Sequence, residues 1–216
     1  MTNRGKGTII DISIPLVQSM PSWPGSAEFR LTETQRLEDG DSANVSKIEC
    51  EVHAGTHVDA PSHFLENGLR VDQLSLDTLV GPAVVAFFPN ANAVTADELE
   101  GVNLLPETKR LLLRTGNSHL WRNGHKEFKE DYVALTPDGA DWIVEHGIRL
   151  VGIDYLSIAR YEDTERVHKA LLGAEVVVVE GLNLLDIEPG NYELICLPLR
   201  LADAEGAPAR VVLRKF

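Results

Sequence analysis

The chain is poor in cysteine, in positive charge and in long apolar runs, and each shortage removes a class of protein. Only Cys50 and Cys196 occur in 216 residues. They share no CxxC spacing, so neither a disulfide scaffold nor a cysteine-type zinc finger is encoded. One bridge between the two stays open at this level, although two lone cysteines point to a reducing compartment, the cytoplasm. Lys and Arg number 20 against 33 Asp and Glu, a net charge of −13. That balance argues against a nucleic-acid partner, which needs a basic surface, and against docking on anionic lipid. No apolar run approaches the ~20 residues that a membrane helix needs. The best candidates, near 111–113 and 176–179, are strand-sized, and Asp11 interrupts Ile9-Ile10, so no secretory signal is expected. No repeat and no Ser/Gly/Pro-rich linker divides the chain, so residues 1–216 read as one domain.

What is present is globular. Apolar residues make up 44% and charged residues 25%, enough to bury a core. Short, β-branched runs predict strands at 9–12, 45–52, 82–88, 110–114, 150–153, 175–179, 192–199 and 210–213. The alternation in 45–52 reads as a two-faced strand, and 202–208 as the hairpin loop before the last one. Thr136-Pro137-Asp138 predicts a capped helix that Gly147 can end. Thr95 with Glu98 has the spacing of a capping box, and 163–172 predicts a third helix ending at Gly173. The mixture implies a compact α/β domain with a mixed sheet, without the regular alternation of a doubly wound fold. The polar stretch 115–132, which carries Asn117, His119, Trp121 and His125, reads as a long loop that lines a site or decorates the surface.

Chemistry concentrates in His53-Ala-Gly-Thr-His57-Val-Asp59-Ala-Pro-Ser-His63, which holds three of the 7 histidines. Imidazole and carboxylate are ligands that zinc, manganese and iron accept. A helix bearing His53 and His57 on one face is disfavoured by Gly55 and by Pro61. A turn leaving a strand suits the segment better, with Gly55 bending it and His57 and Asp59 pointing the same way beyond. His53, His57 and Asp59 therefore form a candidate ligand set. Glu180 ends the apolar run 176–179, and a charge there needs a partner or a metal. His168 lies on the preceding predicted helix and could fold back onto Glu180, although on the residues alone an ordinary ion pair and an exposed histidine are the simpler explanation of both. Trp23, held between two prolines, suits core packing or stacking on a ligand. His146 suits a helix C-terminus, and His119 and His125 suit the surface.

The signature His-x-Gly-Thr-His-x-Asp-x-Pro-x-His resembles that of the metal-dependent cyclase-type amide hydrolases, which include bacterial kynurenine formamidases and isatin hydrolases. Asp11-Ile-Ser, Trp23-Pro-Gly, Gly152-Ile-Asp154, Val179-Glu-Gly181 and the stretch 189–198 are also similar, so the resemblance runs from about residue 10 to 213. It implies a swivelling β/β/α-type fold, generally dimeric. It implies that His53, His57 and Asp59 bind zinc, with Asp59 bridging to a second ion held by His168 and Glu180. It implies that His63 moves protons and that Trp23 contacts the substrate, a small amide such as an N-formyl aryl amine. Manganese serves in the isatin-hydrolase branch. Two stretches depart from the formamidase pattern, Tyr155-Leu156-Ser157 and the insertion at 115–132, and both bear on the substrate rather than the chemistry.

Overall fold

Apolar runs too short to cross a bilayer pair here into one eight-stranded sheet that curls until it meets itself. The structure is a computed structural model and describes residues 7–122, 124 and 126–215. The strands are β1 (Ile9–Asp11), β4 (His57–Asp59), β5 (Val80–Phe88), β6 (Arg110–Thr115), β7 (Leu150–Ile153), β8 (Val177–Glu180), β9 (Gly190–Pro198) and β10 (Gly206–Lys215). Their order is β1-β10-β4-β8-β7-β6-β5-β9, and β9 pairs again with β10, which closes a mixed barrel. β5 to β8 run parallel, and the remaining pairings are antiparallel. A separate ribbon joins β2 (Arg30–Gln35) to β3 (Val45–Glu49). The helices are α1 (Leu76–Leu79), α2 (Ala96–Glu100), α3 (Ser118–Arg122), α4 (Pro137–Glu145) and α5 (Thr164–Gly173).

Strand periodicity divides the apolar residues into two cores. Val58, Val177, Val179, Leu112, Leu194, Cys196 and Val211 fill the barrel interior. Val178, Val151, Leu111 and Leu113 face outward and pack beneath Leu99 of α2, Ile143 of α4, and Val167 and Leu171 of α5. The run 176–179 is thus buried on both faces, which is why it carries no polar alternation. Cys50 and Cys196 are both free thiols, so the bridge left open by the sequence is not formed. No helix among the described residues is long and apolar enough to cross a membrane.

The expected α/β class with a mixed sheet holds, as do the caps. Thr136 accepts from the Gly139 amide, Thr95 from the Glu98 amide, and Gly147 adopts φ +66°. Four local expectations are corrected. The predicted strand 45–52 stops at Glu49, and its alternation marks no buried face, because every residue of β2 and β3 is exposed. The predicted hairpin loop is shorter, because Gly206, Ala207 and Pro208 already pair with β4. Gly173 lies inside α5, and the left-handed residue that follows it is Glu175, at φ 58°. The stretch 115–132 is not loop throughout: it opens at the end of β6 and forms α3, held by Asp154, which accepts from the amides and hydroxyls of Thr115 and Ser118 at 2.5–3.1 Å, while its described residues beyond α3 form no helix or strand. His125 lies outside the described residues.

Candidate metal centre

A glycine turn delivers the candidate ligands to the barrel's outer face. Gly55 sits at φ +65°, open to a residue without a Cβ. The segment is a turn, as expected, but it feeds a strand as well as leaving one: β4 begins at His57. In that strand Val58 points into the barrel core while His57 and Asp59 share the outward face. β4 pairs with β8 so that Glu180 lies directly across from His57, and cross-strand neighbours point to the same side. Gly181 (φ +68°) packs its backbone on the same turn, where a Cβ would come within 2.2 Å of the Gly55 carbonyl oxygen. α5 covers this face and brings down His168. His63 ends the short 3₁₀ turn, Pro61–His63, that follows β4.

The five residues converge. His53 Nδ1 lies 2.8 Å from Asp59 Oδ1, and His57 Nε2 lies 3.4 Å from the same oxygen. His57 Nε2 is 3.3 Å from Glu180 Oε2. His168 Nε2 is 3.2 Å from Glu180 Oε1 and 3.6 Å from Asp59 Oδ2. Two three-residue groups result, His53/His57/Asp59 and Asp59/His168/Glu180, each with its donor atoms within 4.8 Å of one another. Asp59 belongs to both.

Hydrogen bonds orient the rings. His57 Nδ1 donates to the Gly55 carbonyl at 2.9 Å, and His168 Nδ1 donates to the Thr164 carbonyl at 2.7 Å. A carbonyl only accepts, so in each neutral ring the hydrogen is on Nδ1 and the Nε2 lone pair faces the carboxylates. Phe64 stacks on the His168 ring at 4.6 Å between centroids. Such a cluster needs a cation between lone pairs and carboxylates. With protein charges alone a proton fills that need. Desolvation works to lower His57, but the bond to Glu180 and the charges of Asp59 and Glu180 prevail and hold it at about 9. His168 is raised against desolvation in the same way. Asp59 and Glu180 are held below the usual carboxylate range, again despite burial, by the histidines around them.

The donor set fits divalent metal better than protons. Asp59 Oδ2 is buried and has no hydrogen-bond partner among the described residues, and a buried carboxylate oxygen left so is costly. Nitrogen and carboxylate donors from three elements, oriented by second hydrogen bonds, are what zinc or manganese sites use. One carboxylate shared by two groups matches a pair of ions.

His63 belongs to neither group. Its ring stacks on His53 at 4.0 Å and meets His168 edge-on at 6.2 Å. Burial and the neighbouring histidines push its pKa below 6.5, against the pull of Asp59 and Glu180. A cavity of about 280 Å³ opens over the cluster. His57, His168 and Glu180 form its floor, and Trp23 and Phe64 form walls. Trp23 packs against other aromatic rings and also lines the cavity: it stacks on Tyr161 at 5.3 Å and meets Phe128 edge-on at 5.0 Å. His146 caps α4, and Trp142 stacks on it at 3.7 Å.

Other contributors had little or no signal in the sequence. The Ile158 amide donates to Glu180 Oε1 at 2.6 Å, and a backbone donor has no residue type to betray it. Thr56 accepts from the Ile14 amide at 2.9 Å and donates to the Gly181 carbonyl at 2.6 Å, locking the two glycine turns together. Its place inside the signature was the available hint.

Residues 10–160 match the Cyclase family. The chain belongs to that family. Cyclase-like protein 1 of Arabidopsis thaliana is 39% identical over 97% of this chain and 86% of its own. A kynurenine formamidase of Bacillus cereus is also 39% identical, over 95% of this chain and 96% of its own. Among solved structures, a potential metal-dependent hydrolase with cyclase activity matches at a TM-score of 0.82 and 31% identity, covering 95% of this chain and 96% of that one. Isatin hydrolase A from Labrenzia aggregata matches at 0.79 and 25%, covering 95% and 93%. The family resemblance read from the signature is therefore correct, and so is the fold it implied.

Proposed function

We propose that this protein is a metal-dependent hydrolase of small aryl amides, with an N-formyl aryl amine such as N-formylkynurenine as substrate. One observation carries the reading: two candidate ligand groups share Asp59, and their members His53, His57, His168 and Glu180 line a cavity that also holds an aromatic wall and His63, a histidine in neither group. His53, His57 and Asp59 would hold one ion, and Asp59, His168 and Glu180 a second. Zinc is the first choice for this donor set and manganese the other. When bound, such an ion supplies an acidified water and a Lewis acid for the amide carbonyl.

The chain's own residues supply the rest. Burial lowers the pKa of His63, which favours the neutral imidazole. Its imidazole takes the proton that water loses on attacking the formyl carbon, and returns it to the amide nitrogen as the C–N bond breaks. Formate and the aryl amine are the products. An aryl amine leaves readily because its nitrogen is weakly basic. Trp23 gives the aryl ring a face to stack on, itself backed by Tyr161 and Phe128. The relatedness to a kynurenine formamidase over nearly both chains supports this choice of substrate. The likeness to an isatin hydrolase favours a second reading, opening of a cyclic amide by the same attack, with the leaving nitrogen tethered in the product.

The test is hydrolysis of N-formylkynurenine by protein stripped of metal and reloaded with zinc or manganese. Activity restored to a kcat/KM of ~10⁴ M⁻¹s⁻¹ or more supports formamidase. Inert reloaded protein that opens isatin would transfer the assignment to the cyclic amides.

A further inference from the structure

The cavity is polarised from floor to rim, and its outer end has a charge. Its floor is the buried cluster described above. Its outer lining includes Ala27 and Glu51, both exposed. Among the described residues, none that lines the cavity is Lys or Arg. Glu51 is also fixed in place. Its Oε1 accepts from the Ala27 amide at 2.9 Å. That bond ties the segment carrying Trp23 to the turn carrying His53. The carboxylate is therefore presented at the mouth rather than swinging in solvent.

We infer that Glu51 selects the charge of the substrate's tail, favouring an ammonium-bearing or neutral aryl amide over one whose tail ends in a carboxylate. The inference rests on the aryl-amide reading only for which end of the substrate enters first. The scissile carbonyl belongs at the cluster, so the rest of a small substrate reaches the rim. There an ammonium meets a positioned carboxylate, a charge-assisted hydrogen bond. A tail carboxylate meets a like charge and no lining cation to offset it. The chain's net charge of −13 acts in the same direction on approach. For an amino-acid tail such as that of N-formylkynurenine, the α-ammonium is the recognised group and the α-carboxylate is directed to solvent.

Two readouts separate this inference from the proposed reaction. In the first, calorimetry on metal-reloaded protein measures the affinity of three acetophenones bearing a para aminomethyl, hydroxymethyl or carboxylate group. None has an amide to hydrolyse. Affinity should fall in that order, with a spread of about tenfold or more between the charged members. In the second, kcat/KM for the matching para-substituted formanilides should follow the same order. Glu51→Gln keeps an acceptor for the Ala27 amide and removes only the charge, so it should collapse the cation-to-anion ratio towards one in both assays. Equal binding of the three ketones, or an order that Glu51→Gln leaves intact, overturns the inference. Ordered, Glu51-dependent binding without hydrolysis of any formanilide leaves it standing and removes the formamidase assignment instead.

Discussion

Asp59 and His63 sit four residues apart and would have opposite relations to a metal held at the cluster. Asp59 belongs to both ligand groups, so Asp59→Asn should bring bound metal per chain close to zero by elemental analysis. His53→Ala and His168→Ala should each remove about half. Equal losses in all three would mean a single ion. His63→Ala should keep its metal and lose about 10²–10⁴-fold in kcat. Metal lost along with activity would make His63 a ligand. Cys196 gives a prediction away from the site. Burial in the barrel pushes its thiol from an ordinary 9 up to about 12, while Cys50 is only half-buried. A thiol reagent at pH 8 should titrate one thiol in native protein and two in denaturant. The sign for stability follows. The unfolded thiol ionises near 9 while the folded one stays protonated, so this group's contribution is full below pH 9 and falls as pH rises towards 12. Rapid labelling of both thiols in the folded protein would contradict its burial.

At the scale of elements, the site depends on two glycine turns pressed together. Gly181 occupies a left-handed conformation, which costs an L-residue roughly 1–2 kcal/mol. A Cβ there would also lie 2.2 Å from the Gly55 carbonyl oxygen. Gly181→Ala should therefore lower the urea midpoint by more than the conformational cost alone. It should also weaken metal binding, because the shift displaces Glu180 against His57 in the β4–β8 register. A variant with unchanged midpoint and unchanged metal affinity would show that the turns are not coupled to the site.

For the whole molecule, the proposed site would link metal binding to the fold. The cluster joins a strand pair to α5, so an ion held there also bolts a helix onto the barrel. A ligand that binds only the folded state at 100 times its Kd stabilises by about 2.7 kcal/mol. For a chain of this size that corresponds to a Tm shift of about 5–10 °C. Removal of metal by chelation should lower Tm by that amount, and its return should restore it. A Tm indifferent to chelation would place the ion outside the cluster.

How much of this was legible depends on how local its cause is. Caps at Thr95 and Thr136 are interactions within one turn, so they could be read directly. The runs 110–114 and 150–153 needed only their apolar character to mark them as buried strands. The signature 53–63 pointed to candidate ligands because imidazole and carboxylate so close together have few other uses. Other features lie between segments distant in the chain. The ribbon β2–β3 has strand alternation with no buried face, because none of the described residues covers it. His168 and Glu180 were named by the family resemblance, but their own chemistry allowed an ordinary ion pair until α5 folded over β8 and the β4–β8 register set Glu180 across from His57. The orphaned Asp59 oxygen and the Ile158 amide on Glu180 are likewise contacts made by packing. Composition and spacing carry residue types and local geometry, whereas shared ligands, cavity walls and the charge at the rim exist only once barrel closure brings distant segments within bonding distance.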